Sequence, residues 1–325
     1  MRAVVVREPG APEVMELTEV ADPQPGPTEI VVEIAARGVN FIDTYQRSGA
    51  YPMTTPFTPG VEAAGVVSAC GAEVSSVVEG QRVAWVMLPG GYAERAVIPA
   101  ERAIPLPDEI TTEQAAAVLL QGLTAHYLTY DTYAVQDGDT VVVHAAAGGV
   151  GLLLVRMAKL RGAHVLGTVS TAAKAELART AGADELFGYP EAADGQDLAE
   201  QVRERTGGTG VAAVYDGVGA ATFEASLASL RRRGVLVVFG QASGPVAPVD
   251  PQRLNQAGSV YLTRPNLADH LVTRAELLHR SAELLRMVSS GDLDVHVGAR
   301  YDLAQAAQAH TDLAARRTAG KVVLL

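Results

Sequence analysis

The chain has 325 residues, 48% hydrophobic and 19% charged, with 26 Lys and Arg against 37 Asp and Glu, for a formal net charge of −11. One hydrophobic core rarely grows beyond about 250–300 residues, so two domains are expected; this composition excludes disorder and collagen, and the negative charge argues against a phosphate backbone as main partner. A single cysteine, Cys70, excludes intramolecular disulfides and thiolate-rich metal sites, and only three of the 26 cations are lysines: Lys159, Lys174 and Lys321.

At the amino terminus the apolar run meets Arg7 after four residues, too short for a signal-peptide core, and no run approaches the roughly 18–20 residues of a membrane helix. A cytoplasmic setting is expected. Up to about residue 110 the pattern predicts short strands over 3–7, 30–36, 61–68, 82–86 and 93–98, cut by proline- and glycine-rich loops at 22–27 and 52–59. An Ala/Leu-rich helix then starts at Thr111, capped through the run at 112–115, and continues past Gln121 toward Tyr130.

Beyond it, elements alternate. Strands are predicted over 140–144, 164–169, 185–187, 211–216 and 235–239, and helices over 150–161, 174–181, 198–206 and 221–230, with an edge strand at 260–263. Near-continuous apolar strands alternating with helices indicate a parallel sheet covered on both faces. An amphipathic helix over 273–289 and a strand over 320–325 return the chain to the first domain. The fold class is therefore α/β, with a β-rich domain over 1–121 and 270–325 and a Rossmann doubly wound domain over 122–269.

The segment Val141-Val-Val-His-Ala-Ala-Ala-Gly-Gly-Val-Gly151 joins a buried strand directly to an apolar helix. Ala146, Gly148 and Gly151 give an A-x-G-x-x-G dinucleotide fingerprint, whose small residues admit a pyrophosphate to the free N–H groups of the helix start. About 20 residues on, an NAD site places a carboxylate for the ribose 2′-hydroxyl. Here Ser170 and Thr171 stand instead, with Lys174 three residues later. Two hydroxyls and an ammonium suit a 2′-phosphate, so NADPH is the expected cofactor.

No His pair has metal-ligand spacing and no Gly-x-Ser-x-Gly elbow occurs. Cys70 reads as a strand-end residue, His144 as a packed core histidine, and Arg231 to Arg233 as a helix carboxyl end with cations near the negative dipole. Catalytic chemistry in the first domain is sought at 38–45 and 60–65.

The architecture resembles the medium-chain dehydrogenase/reductase superfamily, in which zinc alcohol dehydrogenases use a Cys and a Gly-His-Glu motif as ligands. This sequence has Asn40 and Val61 at those places and lacks the four-cysteine lobe, so no metal is expected. Four segments, 40–49, 144–151, 214–219 and 232–240, together with 262–266, are similar to the zinc-free NADPH:quinone oxidoreductases, the zeta-crystallin family with its GroES-like catalytic domain.

The resemblance implies Asn40, Phe41, Asp43 and Tyr45 on the nicotinamide side, with Thr124 and Tyr127 from the crossover helix. It places Gly148, Gly149, Val150 and Gly151 at the pyrophosphate, and Ser170, Thr171, Lys174 and Tyr189 around the 2′-phosphate. Gly217, Val218, Phe239, Gly240, Gln241 and Ser243 follow the nicotinamide ribose, and Arg264 and Arg317 close the cleft.

The expected reaction is hydride transfer from NADPH to a quinone without metal or flavin, helped by a hydrogen bond from Tyr45 or Asn40 to the quinone oxygen. One alternative is an enone or 2-enoyl thioester reductase with Tyr45 or Tyr127 as acid. Another is an NADPH-binding or RNA-binding protein without catalysis, against which the acidic balance counts. An edge strand at 259–264 suggests a homodimer.

Overall fold

The computed structural model describes residues 1–189 and 196–325. Strands β1 (Arg2–Val6) and β2 (Met15–Glu19) form an antiparallel ribbon. β2 escaped the sequence reading because Met15 is its only buried residue, so it carries no alternation. Next come β3 (Glu29–Val39), α1 (Phe41–Ser48), β4 (Glu62–Cys70), β5 (Arg82–Val86), β6 (Arg95–Pro99) and β7 (Ile104–Pro105). Helix α2 (Thr112–Tyr127) follows and ends in a π-helical turn, Leu128–Thr132.

The alternation expected from residue 140 then appears. It runs β8 (Thr140–Val143), α3 (Gly149–Leu160), β9 (His164–Val169), α4 (Ala172–Ala181), β10 (Glu185–Gly188), α5 (Gln196–Arg205), β11 (Val211–Asp216), α6 (Phe223–Ala228), β12 (Leu230–Val238), α7 (Pro251–Gln256) and β13 (Tyr261–Thr263). The chain closes with α8 (Arg274–Ser289), β14 (Val297–Tyr301), α9 (Ala306–Ala314) and β15 (Lys321–Leu324).

Two compact units result, one of Met1–Leu123 with Leu271–Leu325 and one of Thr124–His270. The first holds a seven-stranded sheet in the order β14-β15-β3-β4-β5-β7, with β6 also on β3. β3 outruns its predicted end at 36 because β15 pairs with Arg37, Gly38 and Val39, a partner more than 280 residues away that no local pattern announces. Trp85, Ile30, Val32 and Ile98 fill the core on one side of this sheet.

The second unit holds the six-stranded parallel sheet β10-β9-β8-β11-β12-β13. The order reverses between β8 and β11, and in doubly wound sheets ligands bind outside the carboxyl ends of the strands at such a switch point. Val142, Leu166, Val214 and Leu236 lie in its core, covered by Phe187, Leu198 and Phe223.

One expectation fails. Arg231 to Arg233 lie in β12, not at a helix carboxyl end. α6 stops at Ala228, and the pairing of β12 with β11 jumps from Val211↔Leu230 to Ala213↔Val235, so the arginines form an irregularity in a strand. Arg231 reaches Asp139 at 3.3 Å and the Tyr133 hydroxyl at 3.2 Å. Arg233 is left-handed at φ 59°. Arg231 is held by side-chain partners, and Arg233 donates its backbone N–H to the Gly258 carbonyl.

Candidate functional site

In the second unit the loop after β8 turns sharply into α3. Ala145 is left-handed at φ 51° without being glycine, an uncommon conformation that surrounding contacts must hold. Its N–H donates to the Tyr189 hydroxyl at 2.9 Å and to Thr168 Oγ1 at 3.2 Å. Gly148 caps α3 with extended backbone, and Gly149 and Val150 open the helix. A Cβ on Gly151 would lie 2.2 Å from the Ala145 carbonyl oxygen, so helix and loop approach as closely as a phosphate cradle requires.

At the end of β9, Ser170 and Thr171 are exposed. Thr171 Oγ1 caps α4 by accepting from the Lys174 N–H at 3.2 Å. Ser170, Thr171 and Lys174 thus stand together at the start of α4, and the sequence from Ser170 to Ala175 contains no Asp or Glu. Tyr189 anchors the phosphate loop itself through Ala145.

Beyond β11 and β12, Gly217 and Gly240 meet closely. A Cβ on Gly240 would stand 2.4 Å from the Gly217 carbonyl oxygen, and one on Gly217 would strike the Phe239 ring. Ser243 Oγ donates to the Val218 carbonyl at 2.8 Å, and the Gln241 carbonyl accepts from Gly244 N–H. Thr124 is buried near the end of α2. Tyr127 is 2% exposed and stacked on His270, with centroids 4.1 Å apart. Burial holds its phenol well above the ordinary value, opposed by the charge of Arg264. Arg264 follows β13.

In the first unit α1 separates the residues that the sequence groups together. Phe41 and Tyr45, one turn apart, are half-buried, and Tyr45 packs between Phe41 and Tyr51 with centroids at 6.3 and 5.2 Å. Asn40 and Asp43 point the other way and are 3% and 0% exposed. Asp43 accepts the N–H groups of Asn40 at 2.8 Å and Val61 at 3.1 Å, so it caps the helix. Arg317 pairs with Asp312 at 2.9 Å on the surface.

The Asn40 amide is fully engaged. Lys321 Nζ is 2.8 Å from its Oδ1 and 2.5 Å from Glu62 Oε2, while Asn40 Nδ2 donates to Glu62 Oε2 at 3.0 Å and to the Gly38 carbonyl at 3.4 Å. An ammonium only donates and a carboxylate only accepts, which fixes the amide orientation. Gln121 Nε2 adds a donor to the same oxygen at 3.4 Å. Both Asn40 protons are engaged within this buried cluster, whereas Tyr45 is half-buried between Phe41 and Tyr51.

Residues 149–286 match the zinc-binding dehydrogenase family and residues 26–108 the alcohol dehydrogenase GroES-like domain. A Pseudomonas aeruginosa quinone oxidoreductase is 46% identical over 97% of this chain and 97% of its own length. The chain belongs to the quinone oxidoreductases of the medium-chain dehydrogenase/reductase superfamily. A mycobacterial protein solved in complex with NADPH has 53% identity and a TM-score of 0.97, with 100% of both chains covered. A 2-haloacrylate reductase from Burkholderia is 39% identical over 99% of this chain and 98% of its own.

The close approach of loop and helix at Gly151, and a lysine in place of a carboxylate in the turn after Thr171, fit the NADPH of this quinone oxidoreductase fold. Zinc does not fit. Asn40 and Glu62 are bonded to an ammonium and Val61 offers only an alkyl group. Among the described residues no group of three or more His, Cys, Asp and Glu side chains is arranged to hold a metal, and no helix is long and apolar enough to cross a membrane.

Sequence reasoning missed the buried Glu62–Lys321 pair and the polar residues Thr168, Asp216 and Ser226 behind the phosphate loop. A signal existed for the first. Lys321 is one of three lysines and stands in an otherwise apolar strand.

Proposed function

We propose that this quinone oxidoreductase reduces quinones with NADPH, and that the substrate stacks on the Phe41, Tyr45 and Tyr51 rings. The Ser170, Thr171 and Lys174 cluster at the end of β9 carries the cofactor choice, because an ammonium beside a helix start favours a 2′-phosphate where NAD sites place a carboxylate. Bound NADPH supplies the hydride. The chain supplies position: the α3 start holds the pyrophosphate, the Gly217 and Gly240 loops shape the nicotinamide end, and half-buried aromatics orient a planar acceptor. The Tyr45 hydroxyl donates to the oxygen on which negative charge develops.

Tyr45→Phe is expected to lower kcat by roughly three- to tenfold with KM for NADPH unchanged, the loss of one uncharged hydrogen bond. Abolished turnover would instead make the phenol an obligatory acid. A second reading, reduction of an activated C=C bond, draws on the kinship to the 2-haloacrylate reductase. Turnover with NADPH and NADH across quinones, enones and enoyl thioesters separates them. Quinone reduction preferring NADPH supports the first reading, and enoyl turnover without quinone turnover the second.

The low cysteine count fits a reducing cytoplasm. Among the described residues β13 pairs only on its β12 side, and Tyr261 is 61% exposed, which suits a homodimer joined edge to edge. Sedimentation should give a dimer at micromolar concentration, and Tyr261→Lys with Leu262→Asp a monomer. A monomeric parent protein would refute that assembly.

A further inference from the structure

We propose that His144 is a positioning residue, the centre of a buried hydrogen-bond chain of fixed polarity that ties the phosphate loop to the loop after β11. The inference rests on the NADPH reading of these loops and adds a role for residues behind them. His144 directly follows β8, opens the turn into the phosphate loop and is 1% exposed. Its Nδ1 lies 3.0 Å from Thr168 Oγ1 and its Nε2 lies 3.0 Å from Ser226 Oγ. Thr168 is at 0%, Ser226 at 1% and Asp216 at 0% exposure, so water does not complete any of these bonds.

The direction of each link follows from the one before. The Asp216 carboxylate only accepts, and it takes the Ser226 hydroxyl proton at 2.7 Å, the Thr222 hydroxyl at 2.7 Å, and the N–H groups of Val218 at 2.8 Å and Gly219 at 2.9 Å. With its proton on Asp216, Ser226 Oγ must accept from His144 Nε2–H. Burial holds the imidazole below its ordinary pKa, opposed by the Asp216 charge, so the neutral ring carries one proton and Nδ1 is an acceptor. The Thr168 hydroxyl therefore donates to Nδ1. Its lone pairs are left for the Ala145 N–H at 3.2 Å.

One end of the chain thus holds the strained Ala145, at the entry to the phosphate loop. The other end holds the Val218 and Gly219 N–H groups, at the nicotinamide end of the same crevice. Nothing in the chain can reverse without leaving a buried donor or acceptor unpaired, which costs more than the bond itself contributes. The two loops are in this way fixed relative to each other before a dinucleotide arrives, which lowers the ordering that binding must supply.

Ser226→Ala and Thr168→Val each cut the chain while removing little volume. NADPH titration by fluorescence and steady-state kinetics are expected to show affinity and KM for NADPH weakened by roughly three- to tenfold, with kcat at saturation within about twofold of the parent. The double variant should be no worse than the weaker single, since both cut one chain. Nitrogen-15 spectra of the imidazole should show protonated Nε2 and bare Nδ1 at neutral pH. Folded variants with parental KM, or a protonated Nδ1, overturn the inference while leaving the NADPH reading intact. Failure of the parent protein to bind NADPH overturns both, and is told apart by that result alone.

Discussion

Lys321 shows how one side chain can organise its surroundings. It is 2% exposed against a Glu62 that is 0% exposed, and Glu62 also accepts the Leu120 N–H at 2.6 Å. A Cβ on Gly38 would lie 2.1 Å from Glu62 Oε2, so glycine leaves the space in which the carboxylate sits. Removing one ion of such a pair strands the other in low dielectric. Lys321→Met should lower the unfolding free energy by about 3–5 kcal/mol in denaturant titration, and adding Glu62→Gln should restore part of that. A loss under about 1 kcal/mol in the single variant would show that the pair contributes little.

Asn40 was legible as a place of interest because of its position among family motifs. Its neighbours were not, since Glu62 and Lys321 are 22 and 281 residues away. Nor could a residue list tell that Asn40 faces inward and Tyr45 outward. That division depends on α1, whose capping pair Asn40 and Asp43 has the three-residue spacing of a helix start.

At the scale of elements, the run from β8 to α4 was readable because its signals are local. Val-rich β8 is followed within eight residues by Gly151, and α4 has Thr171 at its start and left-handed Gly182 at its end. β14 and the extension of β3 were not readable, because each depends on pairing with β15. The phosphate loop offers a sharp test of this local logic. The Cβ introduced by Gly151→Ala would meet backbone atoms of Ala145 and Ala146 at 2.2 and 2.9 Å, and backbone cannot rotate away as a flexible side chain would. Affinity for NADPH should fall by more than about tenfold with the fold retained, as seen by fluorescence titration beside circular dichroism. Binding within about twofold of the parent would mean that the loop reshapes freely.

For the whole molecule, the response of stability to pH is set in part by two buried groups that oppose each other. The Tyr92 hydroxyl is 3.2 Å from Asp43 Oδ2 and 3.0 Å from His310 Nε2. Burial raises the Asp43 pKa to about 7 against the pull of its N–H donors, Lys321 and Tyr92. It lowers that of His310 to about 3, helped by the Arg47 charge. Asp43 thus contributes stability that is full below its unfolded pKa near 4 and lost as pH rises through 7. His310 contributes stability that is full above its unfolded pKa near 6.5 and lost as pH falls toward 3.

Between about pH 4.5 and 6.5 the two slopes, each up to about 1.4 kcal/mol per pH unit, cancel. Relative to the parent, Asp43→Asn should therefore lose stability on acidification across that window and His310→Phe should gain it. Denaturant midpoints at three pH values would measure both. Parallel curves for all three proteins would show that neither group titrates in the native state as its burial implies.

The scarcity of lysine has a consequence for chemical labelling. Lys321 is sealed in the first unit, Lys159 is gripped by both oxygens of Asp184 at 2.9 and 2.8 Å, and the amino terminus is paired with Asp22. Lys174, the third lysine, lies in the first turn of α4 three residues after Thr171 and is half-buried. Acylation followed by peptide mass analysis therefore has few amines to report on, and under the proposed cofactor reading NADPH should protect Lys174 where NADH does not.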